Sequence, residues 1–245
     1  MRTGKLRVPT RCAHRLEGAR QCEHCTHLIG SGKDEGMNRS AAWHMIDLER
    51  EALADQLRTL DEPQWSTPSL CSGLTVREVL AHLTVSGALS GPRWFAGVVR
   101  ARFDFDRQVD DRLREQLGSS AEETLSLFRA TIGSRTSPPL PRLAILGEMV
   151  VHGEDIRRPL GLSRHYPAET LKALLHYYAG TDQTVVAKRR VRGLRLEAID
   201  TGVVVGQGDP VRGNTLALIM AMTGRGDYCS DLSGPGVQTL ADRRG

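Results

Sequence analysis

Aromatic residues are scarce in this chain: four Phe, three Trp and four Tyr among 245 residues. A nucleic-acid surface needs aromatic platforms or a basic stripe for phosphates. Neither is present, so no nucleic-acid partner is expected. Long apolar runs are also missing. The longest, Leu216 to Met222, is far too short to cross a bilayer, and no membrane partner is expected. The basic N-terminus continues into HRLEGARQCEHC in place of an apolar segment, which argues against a secretory signal. Without an oxidising compartment the five cysteines read as thiols or metal ligands of a cytoplasmic protein, not as a disulfide framework.

The hydrophobic share of 40% and charged share of 25% fit a soluble globular chain with a sizeable core. The formal net charge is +4, and residues 1–36 hold seven Lys/Arg against four Asp/Glu. That stretch lacks apolar periodicity and reads as a disordered tail. Its Cys12, Cys22 and Cys25, with His14, His24 and His27, carry zinc-type donors at a spacing that matches no familiar zinc module. Met37 is an alternative start of the protein.

From Ser40, a candidate N-cap, Trp43, Ile46, Leu53, Leu57 and Leu60 fall on one helical stripe. Asp61 to Leu74 has two prolines and a glycine and reads as a loop, with Trp65 as a core anchor. Thr75 and Glu78 form a capping box that starts a helix at Val76, placing His82 beside its apolar stripe. Cys71 reads as a small buried hydrophobe, because no cationic neighbour in sequence would make it a thiolate. Pro92 is expected to open another helix, the mixed charges of Asp104 to Arg114 to form a solvated face, and Ser120 with Glu123 to start a helix through Phe128.

The stretch LGEMVVHGEDIRRPLG, Leu146 to Gly161, lies on a helix expected from Arg142 to Arg158 and stopped by Pro159. Glu148 and His152 are four apart, one turn along the same face, and such a pair can share a divalent cation. An ordinary ion pair is the alternative. Asp155 is placed to hold the His152 N–H and orient the ring. Arg157 and Arg158 complement the helix dipole or receive an anionic substrate. Pro167 opens a further helix, closed by Gly180 and carrying a structural His176. After the basic string Lys188 to Arg192 the pattern changes: LRLEAI and GVVVG read as strands, followed by a helix over Asn214 to Thr223 and a short one near Val237 to Ala241. The chain thus reads as a helical unit followed by a small α+β unit.

The segments WHMIDLEREALADQL, PSLC, TVREVLAHL and VHGEDIRRPLG together resemble the mycothiol-dependent maleylpyruvate isomerase family of DinB-like proteins, and residues 194–243 resemble its C-terminal domain. The resemblance implies a mainly α fold: a DinB-like four-helix bundle over residues 37–187, then a small α+β sterol-carrier-like domain over residues 188–245. It implies a metal site made by His82, Glu148 and His152, and an active-site arginine from the C-terminal domain, Arg225 or, second, Arg212. Leu74 stands where family members usually carry Trp. Three protein ligands leave a fourth position open, and a thiol bound there is held as thiolate.

The implied chemistry is that mycothiol adds to a cis enedioate, the adduct rotates, and elimination returns the trans isomer; other members conjugate electrophiles as S-transferases. An arginine would clamp a substrate carboxylate. The expected cofactors are a divalent metal, zinc before nickel or iron, and mycothiol as cosubstrate. The expected partners are that small-molecule thiol and an electrophilic substrate. A non-catalytic metal-binding or sensing module and a metal-dependent hydrolase are the competing readings.

Overall fold

The structure, a computed structural model, describes residues 38–88 and 115–243. The tail cysteines and histidines, Met37, the helix expected at Pro92 and the polar run Asp104 to Arg114 lie outside the described residues.

Helix α1 spans Arg39–Leu57. Its N-cap is Asn38 and not Ser40: the Asn38 side chain accepts from the Ala41 N–H at 2.8 Å, which leaves Ser40 inside the first turn. The stretch read as loop contains a short helix, α2, Glu62–Trp65. Asp61 and Gln64 cap it reciprocally at 3.0 and 2.9 Å. Pro63 sits in its first turn, where the missing N–H has no partner to lose, so this proline opens a helix instead of breaking one. Trp65 is buried, as expected of an anchor.

Helix α3, Val76–Ala88, begins at the expected capping box, with the Thr75 N–H donating to Glu78 at 2.7 Å and the Glu78 N–H to Thr75 Oγ1 at 3.3 Å. Helix α4, Ala121–Arg129, is capped by Ser120. The box there is incomplete, because the Glu123 carboxylate turns to the Ser119 N–H and hydroxyl. Helix α5 spans Arg142–Arg157 and α6 Ala168–Gly180. Helix α1 packs against α4 and α5, and α3 against the same two, so α1, α3, α4 and α5 form a four-helix bundle. Ile46, Leu53, Leu80, Leu83, Phe128, Leu146 and Val150 fill its interior.

The C-terminal unit holds β1 (Leu194–Ala198), β2 (Val204–Gly206), β3 (Asp209–Gly213), α7 (Thr215–Met222), a 3-10 turn over Gly226–Asp231 and α8 (Gly236–Asp242). The sheet order is β2-β1-β3, with β2 antiparallel and β3 parallel to β1. Strand β3 is missed by the sequence pattern because Pro210 argues against a strand; on a sheet edge it is tolerated. Between β2 and β3 the chain passes over the end of β1 so closely that a Cβ on Gly208 would lie 2.1 Å from the Gly193 carbonyl oxygen. Helix α6 joins the two units, packing on α5 on one side and on α7 and β2 on the other. No helix among the described residues is long and apolar enough to cross a membrane.

Candidate functional site

The three expected ligands sit on two helices that face each other. His82 on α3 and His152 on α5 meet edge to face, with ring centroids 4.9 Å apart. One turn away, Ser86 on α3 donates its hydroxyl to Glu148 on α5 at 2.7 Å. The pairing 82 with 152 and 86 with 148 runs in opposite directions along the two chains, so α3 and α5 lie antiparallel here and Glu148 stands one turn from the histidine pair.

His152 is held from behind. Its Nδ1 lies 2.9 Å from Asp155 Oδ2, one turn further along α5. Asp155 is fully buried and is itself gripped by Arg225, whose Nε donates to Oδ1 at 2.9 Å and Nη2 to Oδ2 at 2.6 Å. Burial pushes the Asp155 carboxyl up, but the Arg225 charge and its hydrogen bonds, with the bond from His152, overcome this and bring it down to about 2. An ionised carboxylate only accepts hydrogen bonds, so Nδ1 of His152 carries a proton. His82 is held neutral. Burial first and the neighbouring His152 second hold it down at about 3.

Local backbone chemistry sets Arg225 in place. Helix α7 ends in a Schellman motif: the Gly224 N–H donates to the Ala221 carbonyl at 3.0 Å and the Arg225 N–H to the Met220 carbonyl at 2.9 Å. The motif needs positive φ at its turning residue, and Gly224 has φ 102°. The reversed chain carries Arg225 back to α5, where Nη1 also donates to the Thr223 carbonyl at 2.9 Å. Arg212, the second choice, is exposed on β3 and pairs with Glu197 of β1.

Cys71 enters the same cluster. Its sulfur, a His152 ring nitrogen and an Asp155 carboxylate oxygen lie within 4.8 Å of one another. The loop is tied there by a vacancy in α5: the Asp155 carbonyl would accept from residue 159, but Pro159 has no N–H, and the Leu70 N–H takes it at 3.1 Å. Sequence reading finds the burial of Cys71 and misses its neighbours, which come from 81 and 84 residues downstream. Ser86 was also missed, although its spacing of four from His82 is a signal.

The two arginines at the end of α5 are engaged within the chain. Arg157 is buried, donating to Tyr166 Oη at 2.8 Å and Gln56 Oε1 at 2.7 Å, with Glu154 and Glu49 within 4 Å. Arg158 pairs with Asp231 at 2.5 Å and lies 4.0 Å over the Tyr228 ring. Both arginines thereby serve packing, the second between the two units. His176 is exposed on α6.

Residues 46–157 match the family described as the mycothiol maleylpyruvate isomerase N-terminal domain. Two solved structures are similar over 80% of this chain and 92% of theirs: a histidine-to-alanine mutant of the mycothiol-dependent maleylpyruvate isomerase, with TM-score 0.58 and 12% identity, and the mycothiol-dependent maleylpyruvate isomerase itself, with TM-score 0.50 and 14% identity. At such identities the likeness establishes the fold. No curated protein matches the chain. The matched segment contains Cys71, His82, Glu148, His152 and Asp155, while Arg225 lies beyond it. Residues 46–157 of the helical domain are thus similar to the N-terminal domain of the mycothiol maleylpyruvate isomerase family, and the two solved structures share the fold.

Proposed function

We propose that this chain is a mycothiol-dependent metalloenzyme, an isomerase or thiol S-transferase acting on a small electrophilic substrate. The observation that carries the reading is the facing pair His82 and His152, with His152 oriented by Asp155 and Asp155 by Arg225.

The donor types suit a divalent cation, and the ligand atoms of His82, Glu148 and His152 do not all lie within the 4.8 Å of one another that joins Cys71, His152 and Asp155 among the described residues. His82 is held neutral and offers a lone pair, and His152, whose Nδ1 donates to Asp155, would turn Nε2 to a metal. Glu148 supplies a carboxylate one turn away, with one oxygen engaged by Ser86 and the other left for a ligand. A metal-bound histidine is characteristically supported through its other nitrogen by a carboxylate, which is the role of Asp155. A divalent ion in this set, zinc being the expected one, lowers the proton affinity of a bound thiol and so presents it as thiolate near neutral pH.

The remaining work falls to the chain. Arg225 was expected to clamp a substrate carboxylate. With Nε and Nη2 committed to Asp155 and Nη1 to Thr223, it acts as a positioning residue that fixes the His152 tautomer. Buried Tyr178 lies beside Glu148, its hydroxyl set against α5 at Gly147, and closes that side of the site to water.

The test is metal analysis of the purified protein followed by calorimetric titration with mycothiol. About one divalent metal per chain and saturable mycothiol binding that requires it are expected. A metal-free protein, or a metalloprotein without affinity for mycothiol, defeats the reading. Hydrolytic turnover without added thiol would replace it with a hydrolase.

A further inference from the structure

We infer that Ser86 is a positioning residue for the metal site: its hydroxyl orders the Glu148 carboxylate and so strengthens that ligand's hold on the ion. This rests on the metal site proposed above and adds a support for its carboxylate ligand.

A hydroxyl inside a helix commonly turns back to the carbonyl four residues earlier. Thr84, on the same helix, does so, donating to the Leu80 carbonyl at 2.9 Å. Ser86 instead sends its proton across to α5, where Glu148 Oε2 accepts it at 2.7 Å. A hydrogen bond to an ionised carboxylate is roughly twice as strong as a neutral one, and this one leaves Oε1 for a ligand. Ser86 stands four residues beyond His82 and Glu148 four before His152, so the bond lies one turn from the facing rings.

The two backbones joined by this bond are fixed by their neighbours. Next to Ser86, a Cβ on Gly87 would lie 2.7 Å from Thr131 Cβ and 2.8 Å from Arg50 Nη2. The Gly87 carbonyl also accepts from the Ser134 hydroxyl at 3.1 Å. Next to Glu148, Gly147 abuts the Tyr178 hydroxyl. What remains loose is the glutamate side chain, whose rotatable bonds must be ordered before it can ligate. The Ser86 hydroxyl does that ordering in advance. His152 is supported in the same way by Asp155, from the next turn of α5; for Glu148 the support comes from the next turn of α3. Partners of this kind are worth about 10- to 100-fold in metal affinity.

The experiment is a zinc competition titration against a chromophoric chelator. It uses the full chain with Cys12, Cys22 and Cys25 changed to serine, so that the tail offers no thiolate. In this background Ser86→Ala should still bind about one zinc per chain, with affinity lowered about 10-fold. Ser86→Thr, which keeps a hydroxyl, should recover most of the loss, and Ser86→Val, of similar shape without the hydroxyl, should not. Combined with Glu148→Ala, the Ser86→Ala change should bring no further loss, because the hydroxyl acts through that carboxylate. An affinity of Ser86→Ala equal to or tighter than that of the parent chain overturns the inference and leaves the proposed function standing. Recovery by Ser86→Val, or a loss that persists in the Glu148→Ala background, overturns it too. A parent chain that binds no zinc defeats the proposed function and this inference with it. The threonine and valine pair decides the question even if Glu148→Ala binds zinc too weakly to titrate.

Discussion

Arg225 of the C-terminal domain and Asp155 of the bundle meet through two parallel hydrogen bonds, 2.9 and 2.6 Å long, with the carboxylate wholly buried. Removing the arginine leaves a buried charge unpaired. Arg225→Ala should therefore cost about 3 kcal/mol of stability in urea unfolding and lower metal affinity on the order of 10- to 100-fold through His152. Arg225→Lys keeps the charge but loses the fork, and should fall between. If the arginine instead clamps substrate, KM rises in Arg225→Ala while competition titration shows unchanged metal affinity. That outcome would restore the clamp.

His152→Ala should reduce the metal content from about one per chain to none by elemental analysis. His82→Ala should do the same, since the two rings face each other. Ser86→Ala removes only the hydroxyl that engages Glu148 and should retain the metal. Full metal content in His152→Ala would place the ion elsewhere in the chain.

Gly147 is a packing requirement. A Cβ there would lie 2.2 Å from the Tyr178 hydroxyl oxygen and 2.8 Å from the ring carbon that carries it. Gly147→Ala should lose about 1–3 kcal/mol, read as a drop in Tm. Adding Tyr178→Phe removes the first of these contacts and should restore part of the loss. A neutral Gly147→Ala would mean that α6 shifts freely against α5.

All four tyrosines, Tyr166, Tyr177, Tyr178 and Tyr228, have their ionisation pushed up, in each case first by burial. An unfolded tyrosine releases its proton near pH 10 and these do not, so the stability they contribute is intact below about pH 10 and lost as pH rises beyond it. Tyrosinate absorbance of the native protein should stay low through pH 10 except for half-buried Tyr177, then rise with alkaline unfolding. A smooth four-residue titration centred near pH 10 in folded protein would contradict this burial.

What could be read in advance follows the range of the interaction. The bundle helices announce themselves by local signals, such as the reciprocal Thr75 and Glu78 cap, the apolar spacing of α1 and the stop at Pro159. Local misreadings arose where one residue has two meanings: Pro63 opens α2, Pro210 occupies an edge strand, and Asn38 caps the helix ahead of Ser40. The Glu148 and His152 pair was visible because one helix turn joins it, and Asp155 by the same geometry. The opposition of Ser86 to Glu148, the approach of Cys71 to His152 and the grip of Arg225 on Asp155 depend on how distant elements pack. Spacing could not show them, although the family resemblance pointed to an arginine from the C-terminal domain.

The three-stranded domain contributes no expected ligand, yet through the glycine-turned end of α7 it decides which nitrogen of His152 bears a proton. The two domains are therefore not interchangeable parts. A bundle joined to a different C-terminal partner would keep every donor residue and lose control over the state of one of them. Selection on His152 thus reaches a glycine, Gly224, that lies 72 residues away.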